Sequence, residues 1–217
     1  MIYLSRMKLD PKCRSTMKAL AAPNLLHGAI EQAFSGPRER NLWRVDSLQG
    51  NTYLLLLSRN APDLTRAYEQ FGPRNTEAAW ETRNYEPLLA RVTPGSRCQF
   101  RLVANPTISK GGGENVRGKV HGHITADYQK KWLLNQAEKH GFLLHEDEFG
   151  VVQSQWLRFY KGADGARQRV TLLAVTYEGA LTITDADLFR QVLTEGLGRG
   201  KAYGMGMLTI AGLQRHG

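Results

Sequence analysis

The chain has 217 residues, of which 41% are hydrophobic, and its 29 Lys and Arg outnumber its 20 Asp and Glu to give a net charge of +9. This composition is typical of a globular protein with a real core. Charges within the apolar start argue against a signal peptide, and no apolar stretch approaches membrane-spanning length. We therefore expect a cytoplasmic protein whose partner is anionic, such as nucleic acid, an anionic surface or an acidic substrate.

The first half of the chain predicts the order strand, helix, strand, strand, helix, strand. Alternating apolar residues indicate the strands, and Pro and Gly mark the ends of the helices. The predicted elements are a strand from Ile2, a helix over 23–34, strands over 42–46 and 53–57, a helix over 63–71 and a strand over 85–92.

The second half repeats this order after a predicted linker at 93–97, which is rich in turn-forming residues. Its predicted elements are a strand over 98–103, a helix that begins after Thr125 and stops at Gly141, strands over 151–161 and 167–178, a helix over 185–194 and a strand over 207–213. We therefore predict an α+β fold of two tandem ferredoxin-like, RRM-like βαββαβ domains, over 1–92 and 98–217. Many RNA-recognition domains share this architecture, although the fold alone does not establish RNA binding.

One histidine on the first predicted helix could carry acid–base chemistry. His27 lies at the rim of the apolar stripe of this helix, with Glu31 one turn further along. Because imidazole titrates near neutral pH, it could take a proton from a ribose 2′-hydroxyl or give one to a 5′-oxygen leaving group without a metal. The alternative is a surface histidine that pairs with Glu31.

Metal and redox sites are not indicated by the sequence. Cys13 and Cys98 match no metal or redox spacing, which favours reduced, incidental thiols. His121 and His123 could offer two ligands on one side of an extended segment, but no motif completes the site, and a loop is favoured. We expect neither a metal nor a cofactor.

Basic side chains surround the predicted hairpin of the second half. They are Arg158 and Lys161 on its first strand and Arg167 and Arg169 on its second. Such side chains at a hairpin tip can straddle a phosphate backbone, and the alternative is a solvated face. We expect their aromatic neighbours Trp156 and Phe159 to pack in the core.

Five glycines surround Arg199 and Lys201 between the last predicted helix and strand. Glycine permits positive φ and leaves no Cβ against an approaching partner, while the two cations favour an anion such as a phosphate backbone. The loop lacks the spacing and the Ser or Thr of a Walker loop, and it follows a helix, unlike a dinucleotide fingerprint. The remaining alternatives are a phosphate-binding loop over Gly198, Arg199, Gly200 and Lys201, or a long turn whose glycines only satisfy geometry.

Four segments spread over nearly the whole chain carry a family likeness. They read Tyr-Leu-Ser at 3–5, Asn-Leu-Leu-His at 24–27, Phe-Arg-Leu-Val-Ala-Asn-Pro at 100–106 and Gly-Leu-Gly-Arg-Gly-Lys-Ala-Tyr-Gly-Met-Gly at 196–206. Together they resemble the CasE (Cse3) family of CRISPR repeat endoribonucleases, the crRNA-processing subunits of the type I-E Cascade complex. The segment at 100–106 and the glycine loop are specific in combination.

The resemblance implies an enzyme that binds the hairpin of a CRISPR repeat transcript, cuts at the 3′ base of its stem without a metal and stays bound to the product. His27 matches the family's catalytic histidine, as general base or general acid, and attack by the 2′-hydroxyl would leave a 2′,3′-cyclic phosphate. Ser35 matches a serine that some relatives use near the scissile phosphate. Relatives often carry a tyrosine where Asn24 stands, and an amide can hydrogen-bond but cannot act as an acid.

The resemblance also implies the RNA contacts and the partners. Arg158 and Lys161 match the basic hairpin that the family lays against the RNA stem, and the same track extends to Lys110, Arg117 and Lys119. The glycine loop is expected to bind RNA, while the chemistry lies on the first predicted helix. The implied partners are CRISPR repeat RNA and other Cascade subunits, with no membrane. The alternative functions are a noncatalytic RNA-binding subunit of a CRISPR complex and a general basic ribonucleoprotein.

Overall fold

The computed structural model describes residues 1–74, 80–110, 119–162 and 167–214, and at 109, 110, 119–121, 213 and 214 it describes the backbone alone. The strands are β1 (Tyr3–Leu9), β2 (Leu42–Leu48), β3 (Asn51–Ser58), β4 (Trp80–Asn84), β5 (Arg97–Ala104), β6 (Thr107–Lys110), β7 (Lys119–Gly122), β8 (Phe142–Leu143), β9 (Phe149–Lys161), β10 (Gln168–Ile183) and β11 (Leu208–Gln214). The α-helices are α1 (Arg14–Ala21), α2 (Asn24–Glu31), α3 (Thr65–Phe71), α4 (Glu86–Ala90), α5 (Ala126–Lys139) and α6 (Ala186–Glu195), and a short 3₁₀ helix spans Lys201–Tyr203. No helix in the described parts combines the length and apolar character that crossing a bilayer requires.

The first sheet has the strand order β2-β3-β1-β4, and each neighbouring pair is antiparallel. With α1 and α2 between β1 and β2, and α3 between β3 and β4, this is the ferredoxin-like arrangement that the sequence predicts. The helices cover one face of the sheet, where Met7, Leu54 and Leu56 pack with Leu26 and Ile30 of α2. Burial of Leu26 and Ile30 holds α2 against the sheet.

The last strand of the first sheet lies earlier than expected. The predicted strand over 85–92 is wrong, because β4 precedes this range and α4 occupies most of it. Tyr85, Leu89 and Val92 are buried at the three- and four-residue spacing of a helix face. Pro87 lies in the first turn of α4, where a helix needs no N–H donor. The apolar pattern of this segment is therefore helical and not alternating.

Three further differences from the sequence predictions are local. α2 ends at Glu31 and not near residue 34, and α1 was not predicted at all. The residues that α1 buries are the small Thr16 and Ala19, so its sequence carries a weak apolar pattern. The β6–β7 hairpin, whose strands flank 111–118, was not predicted either.

The second sheet has the strand order β11-β5-β10-β9, which is the order β4-β1-β3-β2 of the first sheet with the corresponding strands of the second unit. The short strand β8 pairs with the end of β10. Trp132 and Leu133 of α5 and Phe189 and Leu193 of α6 belong to its core. The prediction of two ferredoxin-like units in tandem is therefore confirmed. β5 begins at Arg97, the last residue of the predicted linker, and the domain boundaries themselves stay a prediction.

The two units share one hydrophobic cluster. Leu42 and Leu57, on the face of the first sheet opposite the helices, belong to the same cluster as Leu102, Leu193 and Leu197 of the second unit. Strand alternation places the side chains at 42 and 44 on this same face of β2. A polar residue at position 44 is therefore directed at the second unit.

Arg44 of β2 is a buried arginine that joins the two sheets. It is 2% exposed, and each of its five N–H groups donates a hydrogen bond. Two contact the carboxylate of Asp46 at 2.8 and 2.6 Å, two contact the carbonyls of Arg101 and Met207 at 2.9 and 2.7 Å, and one contacts the Thr209 hydroxyl at 2.7 Å. Arg101 also pairs with Asp46 at 3.1 Å. This network bonds β2 to β5 and β11.

Replacing Arg44→Ala should lower the free energy of unfolding by about 3 to 5 kcal/mol, since it leaves the Asp46 carboxylate buried with half of its partners removed. Urea unfolding followed by circular dichroism measures the loss. Arg83→Ala is the matched control, because Arg83 pairs with Glu81 at the surface, and its loss should stay within about 1 kcal/mol. Equal losses for the two variants would contradict the role assigned to Arg44.

Candidate active site

His27 is held at the rim of α2 by the packing of that helix. Leu26 and Ile30 are buried under the sheet, and the side chain of His27 is 23% exposed at the edge of this apolar stripe. Glu31 follows one turn later on the same helix. The imidazole is thus half-buried on a rigid element, which suits a group that must hold one orientation.

The imidazole of His27 lies close to two charged side chains, the carboxylate of Glu31 and the guanidinium of Arg38. Arg38 Nη2 lies 3.0 Å from His27 Nε2, Arg38 Nε lies 2.5 Å from Glu31 Oε2, and Glu31 Oε1 lies 3.9 Å from His27 Nδ1. A guanidinium can only donate, so Nε2 must be the accepting nitrogen. A neutral ring then carries its proton on Nδ1, on the side of Glu31.

The surroundings of His27 favour its neutral form. Burial lowers the pKa of His27 below its ordinary value near 6.5, and the positive charge of Arg38 lowers it further, while Glu31 opposes both effects. At pH 7 the ring is therefore mostly uncharged. A neutral imidazole can accept a proton, as a general base does.

A cavity of about 550 Å³ connects His27 to the glycine loop. Its walls are formed by His27 and Glu31 of α2, by the segment at 38–41 and by the loop at 198–202. The cationic side chains that line it are Arg38, Arg40, Arg199 and Lys201. Two features that the sequence assigned to separate roles, the histidine and the phosphate-binding loop, therefore face one space.

Lys201 is held at this cavity by the loop itself. Its Nζ donates to the carbonyl of Glu195 at 2.6 Å. Burial lowers the pKa of Lys201, the nearby Arg40 lowers it further, and Glu195 opposes them. Lys201 and Arg40 repel each other beside this partly desolvated cavity, and a bound phosphate would reduce that repulsion.

Two of the segments that carry the family likeness lie side by side. The amide of Gly206 donates to the carbonyl of Val103 at 2.7 Å, and Asn105 forms an isolated antiparallel bridge with Arg199. The glycine loop is thus bonded to the end of β5. The two segments, far apart in the sequence, therefore form one local structure.

The glycine loop packs tightly against β2. Gly196 and Gly204 both have positive φ, of 74° and 78°. A Cβ at Gly196 would lie 2.7 Å from the side chain of Leu42, and one at Gly204 would lie 2.9 Å from the ring of Trp43. Gly196 and Gly204 therefore have a packing role, as expected for a turn whose glycines satisfy geometry. Their close packing on β2 also brings the cationic part of the loop to His27.

The two weaker catalytic candidates are placed differently. Ser35 is exposed and lines an adjoining cavity of about 790 Å³, which shares Glu31 and Arg38 with the cavity of His27. Asn24 opens α2, and its buried Oδ1 has no hydrogen-bond partner among the described residues. Neither side chain contacts His27 through a hydrogen bond between described atoms, and their catalytic roles stay predictions.

The hairpin of β9 and β10 carries the predicted basic side chains at its surface. Arg158, Lys161, Arg167 and Arg169 are all exposed. Tyr160 lies opposite Arg169 in the strand register, so aromatic and basic groups share one face.

The expectation for the two aromatic residues of this hairpin is half correct. Phe159 is buried, and its ring packs edge-on against Tyr203 at 5.0 Å. Trp156 is 43% exposed, so its predicted core position is wrong. It lies on the other face of β9, beside Gly122, which has no side chain to cover the indole.

The structure describes the other basic residues of the predicted RNA track, Lys110, Arg117 and Lys119, only in part. Arg117 lies outside the described residues, and for Lys110 and Lys119 the backbone alone is described, paired across the β6–β7 hairpin. Within the described ranges no group of three or more His, Cys, Asp or Glu side chains is arranged to hold a metal ion.

Arg38 and Arg40 were not among the residues predicted from the sequence. Both lie in the Pro-Arg-Glu-Arg run at 37–40, a few residues after the end of α2, and both line the cavity of His27. The available signal was this pair of cations close in sequence to the helix that carries the candidate histidine.

Replacing Gly204→Ala should lower the free energy of unfolding by about 2 kcal/mol or more, because alanine is strained at positive φ and its Cβ would meet the Trp43 ring. Gly50→Ala is the matched control, since Gly50 has a φ of 76° but nothing within 4 Å of the added Cβ. It should cost only the backbone strain, about 1 kcal/mol. Urea unfolding midpoints compare the two variants, and a Gly204 variant no less stable than the Gly50 variant would remove the packing role.

Comparisons with known proteins give a consistent result over nearly the whole chain. A family model described as CRISPR associated protein matches residues 2–212. The CRISPR-associated endoribonuclease Cse3 of Thermus thermophilus is 30% identical, over 97% of this chain and 100% of that protein.

Solved structures show the same similarity. Thermus thermophilus Cse3 bound to an RNA representing a pre-cleavage complex has a TM-score of 0.78 and 27% identity, covering 97% of this chain and 99% of that one. A chain of a CRISPR RNA-guided surveillance complex, in a pre-nicking state, has a TM-score of 0.70 and 26% identity, covering 96% and 99%. These matches confirm the resemblance seen in the sequence. The chain belongs to the CRISPR-associated protein family and is similar over almost its full length to the Cse3 endoribonuclease.

Proposed function

We propose that the protein is an endoribonuclease that cuts the repeat hairpins of a CRISPR transcript and remains bound to the crRNA product. The observation that carries this proposal is the neutral, half-buried His27 in a cation-lined cavity that it shares with the glycine loop. The similarity to an endoribonuclease whose solved structure holds a pre-cleavage RNA supports the same substrate class.

The geometry supports His27 as the general base, a choice that the sequence left open. The 2′-hydroxyl gives its proton to Nε2 while its oxygen forms a bond to the adjacent phosphorus, and the bond from phosphorus to the 5′-oxygen breaks. The leaving 5′-oxygen takes a proton from solvent. The products are a 2′,3′-cyclic phosphate and a 5′-hydroxyl. Glu31, on the Nδ1 side, stabilises the imidazolium that forms.

The cations of the cavity complement this chemistry. Negative charge grows on the phosphate oxygens as the 2′-oxygen attacks, and fixed positive groups lower the energy of that state. Arg40, Arg199 and Lys201 line the cavity beside His27, so we assign them to the scissile phosphate. The glycine loop then contributes to the cleavage step as well as to binding, which extends the binding role expected from its sequence.

The basic hairpin supplies an extended surface for the RNA stem. Arg158, Lys161 and Arg169 are exposed on β9 and β10, outside the cavity of His27. Side chains of this kind contact phosphates and position a duplex without reading its bases. The similarity to a chain of a surveillance complex supports delivery of the bound crRNA to Cascade subunits, and we expect this to take place in the cytoplasm, where the transcript is made.

A second candidate function is a noncatalytic RNA-binding subunit of a CRISPR complex. The observation that favours it is Asn24, which stands where the family resemblance implies a tyrosine and whose amide cannot protonate a leaving group. This function predicts tight hairpin binding without a cut product, so one assay separates the two candidates.

In the presence of EDTA, the wild-type protein should cut repeat RNA, and His27→Ala should lower the single-turnover rate at least about 100-fold while RNA affinity changes little, because only the proton acceptor is lost. Gel assays with 5′-labelled RNA measure the rate, and end analysis of the products identifies the cyclic phosphate. His145→Ala is the matched control, since His145 is an exposed histidine outside the cavity. Cleavage that disappears with EDTA, or that survives in His27→Ala, would overturn the mechanism.

A further inference from the structure

Arg38 occupies the nitrogen that the proposed reaction needs. Its Nη2 donates to His27 Nε2 at 3.0 Å, and its Nε pairs with Glu31 Oε2 at 2.5 Å. The guanidinium stays charged at any physiological pH and cannot take a proton. In this arrangement the lone pair on Nε2 is already engaged, so the imidazole cannot accept the 2′-hydroxyl proton until Arg38 leaves it.

We propose that Arg38 is a latch, which blocks His27 in the RNA-free protein and moves from the imidazole to a phosphate of the bound RNA. This inference rests on the proposed function, since it assigns a further residue to the same reaction. Arg38 becomes a positioning residue for His27 before cleavage and a partner of the phosphate during it.

The surroundings of Arg38 permit this movement. Its side chain is 72% exposed, and it borders both the cavity of His27 and the adjoining cavity lined by Ser35. A change of rotamer therefore disturbs no packed core. A phosphodiester oxygen carries a negative charge and accepts stronger hydrogen bonds from guanidinium than neutral imidazole does. The RNA itself supplies the group that draws Arg38 away.

Glu31 can stabilise the protonated ring of His27 once Arg38 has moved away. While Arg38 is in place, Glu31 is committed to its guanidinium through Oε2, and Oε1 lies 3.9 Å from Nδ1. When Arg38 leaves, the carboxylate faces the imidazole alone, and it favours the protonated ring that forms during cleavage. The other charged groups that line this cavity are Glu39, Arg40, Arg199 and Lys201.

The first arm of the test measures the imidazole in the RNA-free, full-length protein. The His27 ring signals are assigned by their loss in His27→Ala, and their NMR titration gives the pKa. Arg38→Ala should raise the pKa of His27 by about half a unit or more, because a cation and a hydrogen bond to the neutral ring are removed. Glu31→Gln should lower it. Arg91→Ala, which removes an exposed cation after α4, should leave it unchanged.

The second arm measures cleavage at saturating repeat RNA. Arg38→Ala should lower the single-turnover rate about 10-fold or more at neutral pH, because a charge at the phosphate is lost. Arg38→Lys should recover part of the rate, since it keeps the charge but not the planar fork.

The outcomes separate the latch from the proposed function. A wild-type protein that binds but does not cut repeat RNA contradicts the proposed function. A wild-type protein that cuts, with Arg38→Ala cutting equally fast or leaving the pKa of His27 unchanged, overturns the latch alone. A raised pKa of His27 together with a slower Arg38→Ala protein that Arg38→Lys partly restores supports it.

Discussion

The hydrogen-bonded guanidinium of Arg44 is the constraint on which the arrangement of the two units depends. It links β2 of the first sheet to β5 and β11 of the second through the carbonyls of Arg101 and Met207 and the hydroxyl of Thr209. Leu42 and Trp43, its neighbours on β2, are the residues against which the glycine loop packs. The same strand therefore joins the units and sets where the loop lies. Because α2 and β2 share one core, the loop arrives at His27.

The active-site cavity is in this sense a product of the junction between two similar units. The first unit contributes the imidazole and its acid on α2, and the second contributes the cations of the loop. The cations that face His27 therefore come from both units, Arg38 and Arg40 from the first and Arg199 and Lys201 from the second. On the proposed function, one RNA is held by the hairpin of the second unit while its scissile phosphate is presented to the first. The same proposal predicts tight product binding, because the surface that holds the stem before cleavage still holds it afterwards.

The sequence predicted the two ferredoxin-like units and drew attention to His27 and the glycine loop, because these depend on local signals, whereas it misplaced the last strand of the first unit. His27 beside an apolar stripe and glycines around cations are both visible within one element. Arg44 was missed, since a charged residue that alternates with the apolar Trp43 and Val45 is typical of a solvated strand face. Its burial depends on the other unit. Arg38 was missed for a similar reason: its contact with His27 arises only when the chain turns back after α2.

We propose that His27 acts as a neutral general base in a cavity that the two units build together. The pH dependence of the single-turnover cleavage rate at saturating RNA tests it most directly. A base must be unprotonated, so the rate should rise with pH through the pKa of His27 in the complex and reach a plateau above it. A rate that instead falls as pH rises through the same range would show that His27 works as the protonated acid and would contradict the account.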